Sequence, residues 1–255
     1  MVNTHKMNGR ENRRPTIDVC FSPALFHLYD PTECIVVVID ILRATSSICV
    51  AFEHGVNSIV PVSTIEEALE YKKKGYLAGA ERQGETLPGF DLGNSPFSYM
   101  DPKIKGRDIA LTTTNGTRAI NAAKNAYQVV IGSFLNKAAL IHWLNEQKRD
   151  IICLCAGWKN TFNLEDTLFA GALVYKLKKD FDLSLGRDSC IAAEYLYMLG
   201  KNDMYKFLGE SSHRLRLERL HIEKDIEFCL TLNKTKVVPV LQGDVLKDIL
   251  LPQTI

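Results

Sequence analysis

Short apolar runs alternate with longer amphipathic stretches between residues 16 and 177. The runs are apolar at consecutive positions rather than at every second one, which is typical of strands buried on both faces of a parallel sheet. Strands are predicted at 17–21, 35–39, 58–61, 76–80, 109–113, 128–131 and 151–155. Helices are predicted between them at 46–53, 65–74, 117–125, 137–147 and 164–178. This alternation predicts a layered α/β/α fold with a mostly parallel or mixed sheet.

The pattern changes after residue 177. Short helices are predicted at 189–198, 203–208, 212–220 and 223–230, with one strand at 236–240. We therefore expect a disordered N-terminal extension over 1–15, an α/β domain over 16–180 carrying the main site motifs, and a helix-rich C-terminal lobe over 181–255 that packs on it. Thr64 and Glu67 have the spacing of a capping box at the start of the second helix.

Four predicted strands end abruptly in polar residues. Asp40 to Ser47 follows one strand, Glu81 and Arg82 follow another, and Thr112–Thr117 and Gly157–Lys159 follow two more. In an open α/β sheet, ligands bind beyond the carboxyl ends of the strands. We therefore expect these junctions to share one crevice, suited to a small anionic phosphorylated substrate bound with a divalent cation.

Composition narrows the class of protein. Lys plus Arg (31) nearly balances Asp plus Glu (30), so the formal charge of +1 favours neither nucleic acid nor an anionic membrane as a partner. The sequence contains no apolar stretch long enough to span a bilayer, and residues 1–14 do not resemble a secretory signal. Seven cysteines without a Cys-x-x-Cys pair indicate buried, reduced thiols and a cytoplasmic enzyme. The oligomeric state stays open, a homo-oligomer included.

The first junction combines a carboxylate with groups that bind anions. Asp40 is placed to hold a cation, and Arg43, Thr45 and Ser46 can donate to phosphate at the start of a helix. The alternative is that Thr45 or Ser46 caps the helix and Asp40 pairs with Arg43. Capping needs one hydroxyl rather than a run of them, which favours a binding site.

The long segment from residue 81 to residue 107 is rich in glycine and proline. Glu81 and Asp91 are candidate catalytic acids, and Arg82 and Asn94 are candidate phosphate ligands. The same composition also occurs in ordinary surface loops. A loop of this length inside a compact domain is usually functional or mobile.

The remaining junctions add further candidates. Thr114, Asn115, Gly116 and Thr117 resemble a strand-to-helix turn that holds phosphate, although Asn-Gly also forms plain tight turns. Lys159 is a candidate for binding the substrate.

Acidic and basic residues on the later helices permit two interpretations. Asp166 is a candidate metal ligand, although it and Glu165 could instead complement a helix dipole. His213, with Arg214 and Arg216, is interpreted as a feature of a surface helix.

Signatures of covalent phosphoenzymes do not occur in the sequence. Asp40 does not begin an Asp-x-Asp motif, because position 42 is leucine. No cysteine is followed by an arginine six residues later. The Gly-x4-Gly-Lys-Ser/Thr phosphate-binding loop is also missing. Attack by water with help from a metal ion is the mechanism that remains.

Several strings together resemble the 2-phosphosulfolactate phosphatase family. They are Asp40-Ile-Leu-Arg-Ala-Thr-Ser, Gly79-Ala-Glu-Arg, Gly89-Phe-Asp-Leu-Gly-Asn-Ser-Pro, Thr113-Thr-Asn-Gly-Thr, Ala156-Gly, and Glu165-Asp with Ala-Gly171. The resemblance covers about residues 16 to 240. It implies a Mg²⁺-dependent phosphatase that hydrolyses 2-phospho-3-sulfolactate to 3-sulfolactate and phosphate, a step toward coenzyme M.

The chemistry at these positions leads to a hypothesis about mechanism. Asp40 and Glu81, with Asp166, would hold Mg²⁺, while Arg43 and Arg82 would clamp the phosphate or the sulfonate. Glu81 or Asp91 would protonate the leaving alkoxide. Two alternatives remain open: a phosphatase for another small phosphorylated carboxylic acid, and a protein that binds a phosphorylated metabolite without turnover.

Overall fold

A computed structural model describes residues 13–82, 85–182 and 188–250 of the chain. The strands in these ranges are β1 (Ile17–Cys20), β2 (Ile35–Ile39), β3 (Ser58–Pro61), β4 (Leu77–Arg82), β5 (Glu85–Thr86), β6 (Asp108–Thr112), β7 (Gln128–Gly132), β8 (Ile151–Cys155), β9 (Pro239–Gln242) and β10 (Val245–Asp248). The α-helices are α1 (Ala44–Glu53), α2 (Ile65–Lys73), α3 (Gly116–Ala122), α4 (Lys137–Gln147), α5 (Leu164–Leu177), α6 (Asp188–Gly200), α7 (Met204–Phe207), α8 (Ser212–Glu218) and α9 (Glu223–Cys229). Most of the predicted N-terminal extension, residues 1–12, lies outside the described residues.

All the strands in these ranges form one sheet, in the order β1-β8-β2-β7-β9-β10-β3-β6-β4-β5. The strands β1, β8, β2 and β7 pair in parallel, and so do β3, β6 and β4. The hairpin of β9 and β10 joins these two sets through antiparallel pairs. Helices cover both faces, so the predicted layered α/β fold with a mixed sheet is confirmed.

The two parallel sets run in opposite directions, because three successive antiparallel pairings separate β7 from β3. In a flat sheet, their carboxyl ends would therefore lie at opposite edges. The ends nevertheless meet, because Gly116 after β6 lies against Asp40 after β2 and against the start of the buried helix α1. Val38 of β2, Ile48 of α1 and Leu111 of β6 belong to the same hydrophobic core. Packing on α1, rather than a common strand direction, brings these polar junctions together.

The central strand β2 is buried on both faces. Val36 and Val38 face the core that contains α1, and Ile35, Val37 and Ile39 face a second core built with α4 and α5. Since side chains alternate between the faces of a strand, a strand covered on both sides must be apolar at every position. The continuous apolar run predicted this strand with its observed bounds.

At the start of α2, one of the two hydrogen bonds of the predicted capping box is present. Thr64 Oγ1 accepts a hydrogen bond from Glu67 N at 3.1 Å. The carboxylate of Glu67 accepts from Ser63 N at 2.9 Å, one residue before the position that a capping box uses. The bond to Glu67 N satisfies a backbone N–H group that the helix itself leaves free, and the bond from Ser63 N fixes the residue before the cap.

The C-terminal segment contributes strands to the middle of the sheet as well as helices to its surface. The predicted strand at 236–240 is displaced to Pro239–Gln242, and β10 was not predicted. Val240 and the α9 residues Ile226 and Cys229 belong to the same core as β1 and β2. The division of the chain near residue 180 stays a prediction.

The cysteines are free thiols, and all except Cys34 are buried. Burial raises the pKa of Cys153 and Cys155 well above the ordinary value of a thiol. A neutral thiol is a poor nucleophile, so these two residues fill the core. Among the described residues, no helix combines the length and the apolarity that crossing a bilayer requires.

Loss of packing in the C-terminal hairpin should destabilise the whole sheet. Leu246 of β10 is fully buried in the core around α1, so Leu246→Ala should lower the free energy of unfolding by about 2–5 kcal/mol. Lys247→Ala, on the exposed face of the same strand, should change it by less than about 0.5 kcal/mol. Urea titrations followed by circular dichroism and tryptophan fluorescence should show coincident transitions. Separate transitions would instead indicate an independent C-terminal lobe.

Candidate active site

A cavity of about 770 Å³ lies where β2, β4, β6 and β8 end. Eight predicted site residues line it: Asp40, Arg43, Glu81, Arg82, Asn94, Thr114, Asn115 and Lys159. Six others do not line it: Thr45, Ser46, Asp91, Gly116, Thr117 and Asp166. The four polar junctions therefore do meet in one crevice.

Asp40 follows β2 directly, and its carboxylate is buried with little access to solvent. Oδ1 accepts a hydrogen bond from Ala44 N at 3.4 Å, at the start of α1. Burial raises the pKa of Asp40 to about 6, and the nearby Glu81 and Glu165 contribute to the increase, while the Ala44 amide opposes it. Asp40 is thus a carboxylate held close to other ionisable groups in a shielded place.

Gly116 allows α3 to start against this carboxylate. A Cβ at position 116 would lie 2.8 Å from Asp40 Oδ2 and 2.6 Å from Ala44 Cβ. Such distances are shorter than van der Waals contact, so a side chain at this position would push the two helix starts apart. Gly116 therefore brings Asn115, its neighbour, close to Asp40 without needing to bind phosphate itself.

Glu81 is the second carboxylate of the cavity, and it is buried at the end of β4. Thr114 Oγ1 donates a hydrogen bond to Glu81 Oε2 at 3.4 Å. Arg82 donates to the backbone oxygen of Glu81 at 2.6 Å and to Thr112 Oγ1 at 3.4 Å. These bonds link β4 to the junction after β6.

Asn94 provides a side-chain oxygen that accepts no hydrogen bond within the described ranges. Its Oδ1 is buried and accepts no hydrogen bond from the residues that the structure describes, although Asn94 lines the cavity. Its backbone oxygen accepts from Ser47 Oγ at 2.7 Å, which fixes the residue against α1. An unpaired buried oxygen costs free energy unless a ligand or water satisfies it.

Arg43 is buried and forms an ion pair with Asp225 of α9, 182 residues later in the chain. The peptide bond between Leu42 and Arg43 is cis. The pair with Asp225 fixes one side of the guanidinium group, and Arg43 also lines the cavity. The C-terminal helix thus holds in place an arginine that follows β2.

The hydroxyls of Thr45, Ser46 and Thr117 bind the backbone. Thr45 Oγ1 donates to Asp40 O at 2.9 Å, Ser46 Oγ to Ile41 O at 2.9 Å, and Thr117 Oγ1 to Thr113 O at 3.0 Å. All three side chains are fully buried. This geometry favours a role in shaping the turns over direct contact with phosphate. The capping alternative is wrong, because the N-cap of α1 is Arg43 rather than a hydroxyl residue, and the Arg43 side chain pairs with Asp225 rather than with Asp40.

Asp166 connects three parts of the fold with one buried carboxylate. Oδ1 accepts from Ile41 N at 2.8 Å, and Oδ2 accepts from Gly157 N at 3.1 Å and from Asn163 Nδ2 at 2.8 Å. Burial, together with Asp40 and Glu165, raises the pKa of Asp166, while the bonds from Ile41 and Asn163 oppose this. The arrangement favours a structural link between the ends of β2 and β8 over the predicted role as a metal ligand.

Asp91 lies away from the cavity, between α2 and β4. Its carboxylate accepts from Lys72 Nζ at 2.9 Å and from Ala78 N at 2.9 Å. Partial burial alone would raise the pKa of Asp91, but the bonds from Ala78 and Lys72 outweigh it, and the pKa is lowered. A carboxylate that stays ionised and lies outside the cavity is poorly suited to the predicted role of catalytic acid.

Seven cavity residues were not among the predicted site residues. Three are leucines, and the other four are Trp158, His213, Arg216 and Arg219. The interpretation of His213 as a surface residue is wrong, because its side chain is only 5% exposed. One face of a helix is marked by the spacing i, i+3, i+4 and i+7 of His213, Arg216, Leu217 and Leu220. This pattern in the sequence could have identified His213 and Arg216 as residues of the face that packs inward.

His213 lies between the carboxyl group of Glu165 and the guanidinium group of Arg216. Its Nδ1 forms a hydrogen bond with the fully buried Glu165, and its Nε2 is 2.9 Å from Arg216 Nη2. The ring of His213 stacks on Trp158 with centroids 6.2 Å apart. Because Arg216 can only donate, Nε2 must accept, and Nδ1 then carries the proton that is donated to Glu165.

Positive charge exceeds negative charge around the cavity. The lining contains the two carboxylates of Asp40 and Glu81, against five cationic side chains: Arg43, Arg82, Lys159, Arg216 and Arg219. Burial lowers the pKa of Arg216, with Glu81 opposing the shift, but a guanidinium stays charged at neutral pH. A ligand with several negative charges would balance this excess.

Comparison with known proteins agrees with this chemistry. A family model described as 2-phosphosulpholactate phosphatase matches residues 20–244 of the chain. A relative from Thermotoga petrophila, named probable 2-phosphosulfolactate phosphatase, is 44% identical over 230 residues, which cover 90% of this chain and 96% of the relative. A relative of the same name from Caldanaerobacter subterraneus is 39% identical over 216 residues, covering 83% of this chain and 89% of the relative.

The match extends over nearly all the described residues and includes every junction that lines the cavity. The resemblance found in the sequence is thereby confirmed, and with it the prediction of a phosphoric monoester hydrolase. The chain belongs to the 2-phosphosulpholactate phosphatase family.

Proposed function

We propose that this enzyme hydrolyses 2-phospho-3-sulfolactate to 3-sulfolactate and phosphate, and that it depends on Mg²⁺. The observation that carries the proposal is the cavity in which two buried carboxylates lie among five cationic side chains. A binding site for an anion alone has no use for buried carboxylates, whereas a site that also holds a cation does. The substrate carries phosphate, carboxylate and sulfonate, which matches the excess of positive charge.

The donor atoms of the cavity fit a hard divalent cation. Mg²⁺ is commonly held by one or two carboxylates, with water and substrate oxygens completing its shell. Within the described residues, no group of three or more His, Cys, Asp and Glu side chains could enclose a metal ion. Asp40 and the unpaired Oδ1 of Asn94 would hold the cation. Glu81 lies close enough to Asp40 for the two carboxyl groups to interact. When bound, the cation would polarise the phosphate and activate water.

The phosphate would bind where the first three junctions meet. Arg43 is fixed by Asp225, and Arg82 by the backbone oxygen of Glu81, so both guanidinium groups are oriented before the substrate arrives. A planar guanidinium can donate two parallel hydrogen bonds to phosphate. Thr114 and Asn115, which also line the cavity, would donate to the remaining phosphate oxygens.

The leaving group needs a proton, because it is the alkoxide of a secondary alcohol. Of the two predicted acids, Asp91 lies elsewhere, whereas Glu81 lines the cavity. Glu81 would therefore supply the proton, and its hydrogen bond from Thr114 orients the carboxyl group. The assignment of this reaction to coenzyme M synthesis rests on the family resemblance and stays a prediction.

Substrate and cation can be tested together with the purified enzyme. Release of phosphate from 2-phospho-3-sulfolactate should require Mg²⁺, fall to background in EDTA and return when Mg²⁺ is restored. Preference for a different phosphorylated carboxylic acid in the same assay would revise the substrate. Phosphate release that persists in EDTA would remove the cation from the proposal.

Replacing Asp40 should remove activity. Asp40→Asn keeps the shape of the side chain but removes the charge that holds the cation, so kcat/KM should fall by about 100-fold or more. The concentration of Mg²⁺ needed for half-maximal activity should rise. Near-normal kinetics in this variant would exclude Asp40 from the metal site.

Asp91→Asn is the matched control, since it makes the same change outside the cavity. Its kcat/KM should stay within about threefold of the wild type, while its stability at pH 7 falls by about 1–2 kcal/mol because the bonds from Ala78 and Lys72 weaken. Asp91 has a lowered pKa in the folded state, so its contribution is present above about pH 4 and lost as the pH falls through the folded pKa. Urea titrations should show the two proteins converging in acid.

Glu81→Gln tests proton transfer through its dependence on the leaving group. The amide cannot donate a proton as an acid does, so hydrolysis of the alkyl phosphate should slow by about 100-fold or more. Hydrolysis of p-nitrophenyl phosphate, whose leaving group needs no proton, should slow by less than about tenfold. Equal losses with both esters would assign Glu81 to another role.

A further inference from the structure

A second group of side chains lines the cavity, separate from the strand ends that would hold the phosphate. Trp158 and Lys159 come from the loop after β8, while Arg216 and Arg219 come from α8 and the residue after it. Arg43 forms an ion pair with Asp225, and Arg82 donates a hydrogen bond to the backbone oxygen of Glu81. Arg216, in contrast, forms no ion pair with any carboxylate of the described residues, although it is half-buried.

The guanidinium of Arg216 is oriented but not neutralised. Its Nη2 donates to His213 Nε2 at 2.9 Å, and its central carbon lies 5.5 Å from the centroid of the Trp158 ring. Its Nε is buried and has no hydrogen-bond partner in the described part of the chain. A buried N–H without a partner costs free energy, so the described residues do not by themselves satisfy this guanidinium.

His213 and Glu165 fix the orientation of the Arg216 guanidinium. Glu165 is fully buried and bonds to Nδ1 of His213, and the imidazole stacks on Trp158. With Nδ1 donating to Glu165, Nε2 is left as an acceptor that only Arg216 uses among the described residues. The imidazole therefore holds Arg216 and is not free to exchange a proton with the substrate.

We propose that Arg216, positioned by His213 and Glu165, binds the sulfonate of the substrate and selects for it. This inference rests on the proposed function. The sulfonate is on C3, next to the C2 that carries the phosphate ester, and four bonds separate its sulfur from the phosphorus. With the phosphate at the strand ends, the sulfonate therefore contacts other side chains of the cavity. A sulfonate offers several oxygens to the planar guanidinium fork, and Lys159, whose Nζ lies 4.7 Å from the centroid of the Trp158 ring, adds positive charge beside Arg216.

The test compares two substrates that differ only in the sulfonate. In 2-phospholactate a hydrogen replaces the sulfonate, while phosphate and carboxylate stay the same. The wild type should prefer 2-phospho-3-sulfolactate, measured as the ratio of the two kcat/KM values. Arg216→Gln should lower this ratio by about 100-fold, mainly through KM for the sulfonated substrate.

Arg214→Gln is the matched control on the same helix. The guanidinium of Arg214 is held by Glu218 and by the backbone oxygen of Tyr205, and it does not line the cavity. Any loss of stability in this variant should affect both substrates equally, so the ratio should stay at the wild-type value. The ratio therefore separates recognition of the sulfonate from general damage to the fold.

The positioning role of His213 is tested by coupling. His213→Ala should lower the same ratio by about tenfold, because Arg216 remains but is no longer held. The double variant His213→Ala/Arg216→Gln should have the ratio of Arg216→Gln alone. Losses that multiply in the double variant would show that His213 acts independently of Arg216 and would overturn its positioning role.

Other outcomes separate this inference from the proposed function. An unchanged ratio in Arg216→Gln, or an equal loss with both substrates, would overturn the role of Arg216 while the phosphatase function stands. A wild type that hydrolyses both esters equally well would show that no sulfonate selection exists. A wild type that hydrolyses neither ester would refute the proposed function itself.

Discussion

The carboxylate of Asp166 is the constraint on which the cavity depends. It accepts hydrogen bonds from Ile41 N, directly after Asp40, and from Gly157 N, directly before Trp158. One buried group thus fixes both the loop after β2, which begins with Asp40, and the loop after β8, which carries Trp158. Hydrogen bonds in a shielded interior are stronger than in water, so the two sides of the cavity keep a defined separation.

Packing on α1 is the second condition for the site. The two parallel sets of the sheet point in opposite directions, yet the end of β6 lies beside the end of β2 at the start of α1. Gly116 shows how close the approach is, since even a methyl group would collide with Asp40. The site therefore depends on the packing of α1 as much as on the polar residues, and the junctions can meet without sharing an edge of a parallel sheet.

Much of the fold followed from patterns in the sequence, because strands covered on both faces are apolar at every position. Strand β10 escaped prediction, since four residues with Lys247 and Asp248 among them carry too little pattern. Eight of the predicted site residues line the cavity; seven of them stand at or shortly after the ends of strands, and Asn94 lies in the segment after β5. The sequence could not show that Glu165 binds His213 while Asp166 binds Ile41, because neighbours on a helix point in different directions and only tertiary packing decides between them.

The ion pair between Arg43 and Asp225 has a consequence for synthesis of the chain on the ribosome. The arginine is translated 182 residues before the aspartate that holds it, and the hairpin that joins the halves of the sheet follows later still. Contacts so distant in sequence form late and slowly. A nascent chain therefore carries Arg43 through the synthesis of 182 further residues without the partner that fixes it in the cavity.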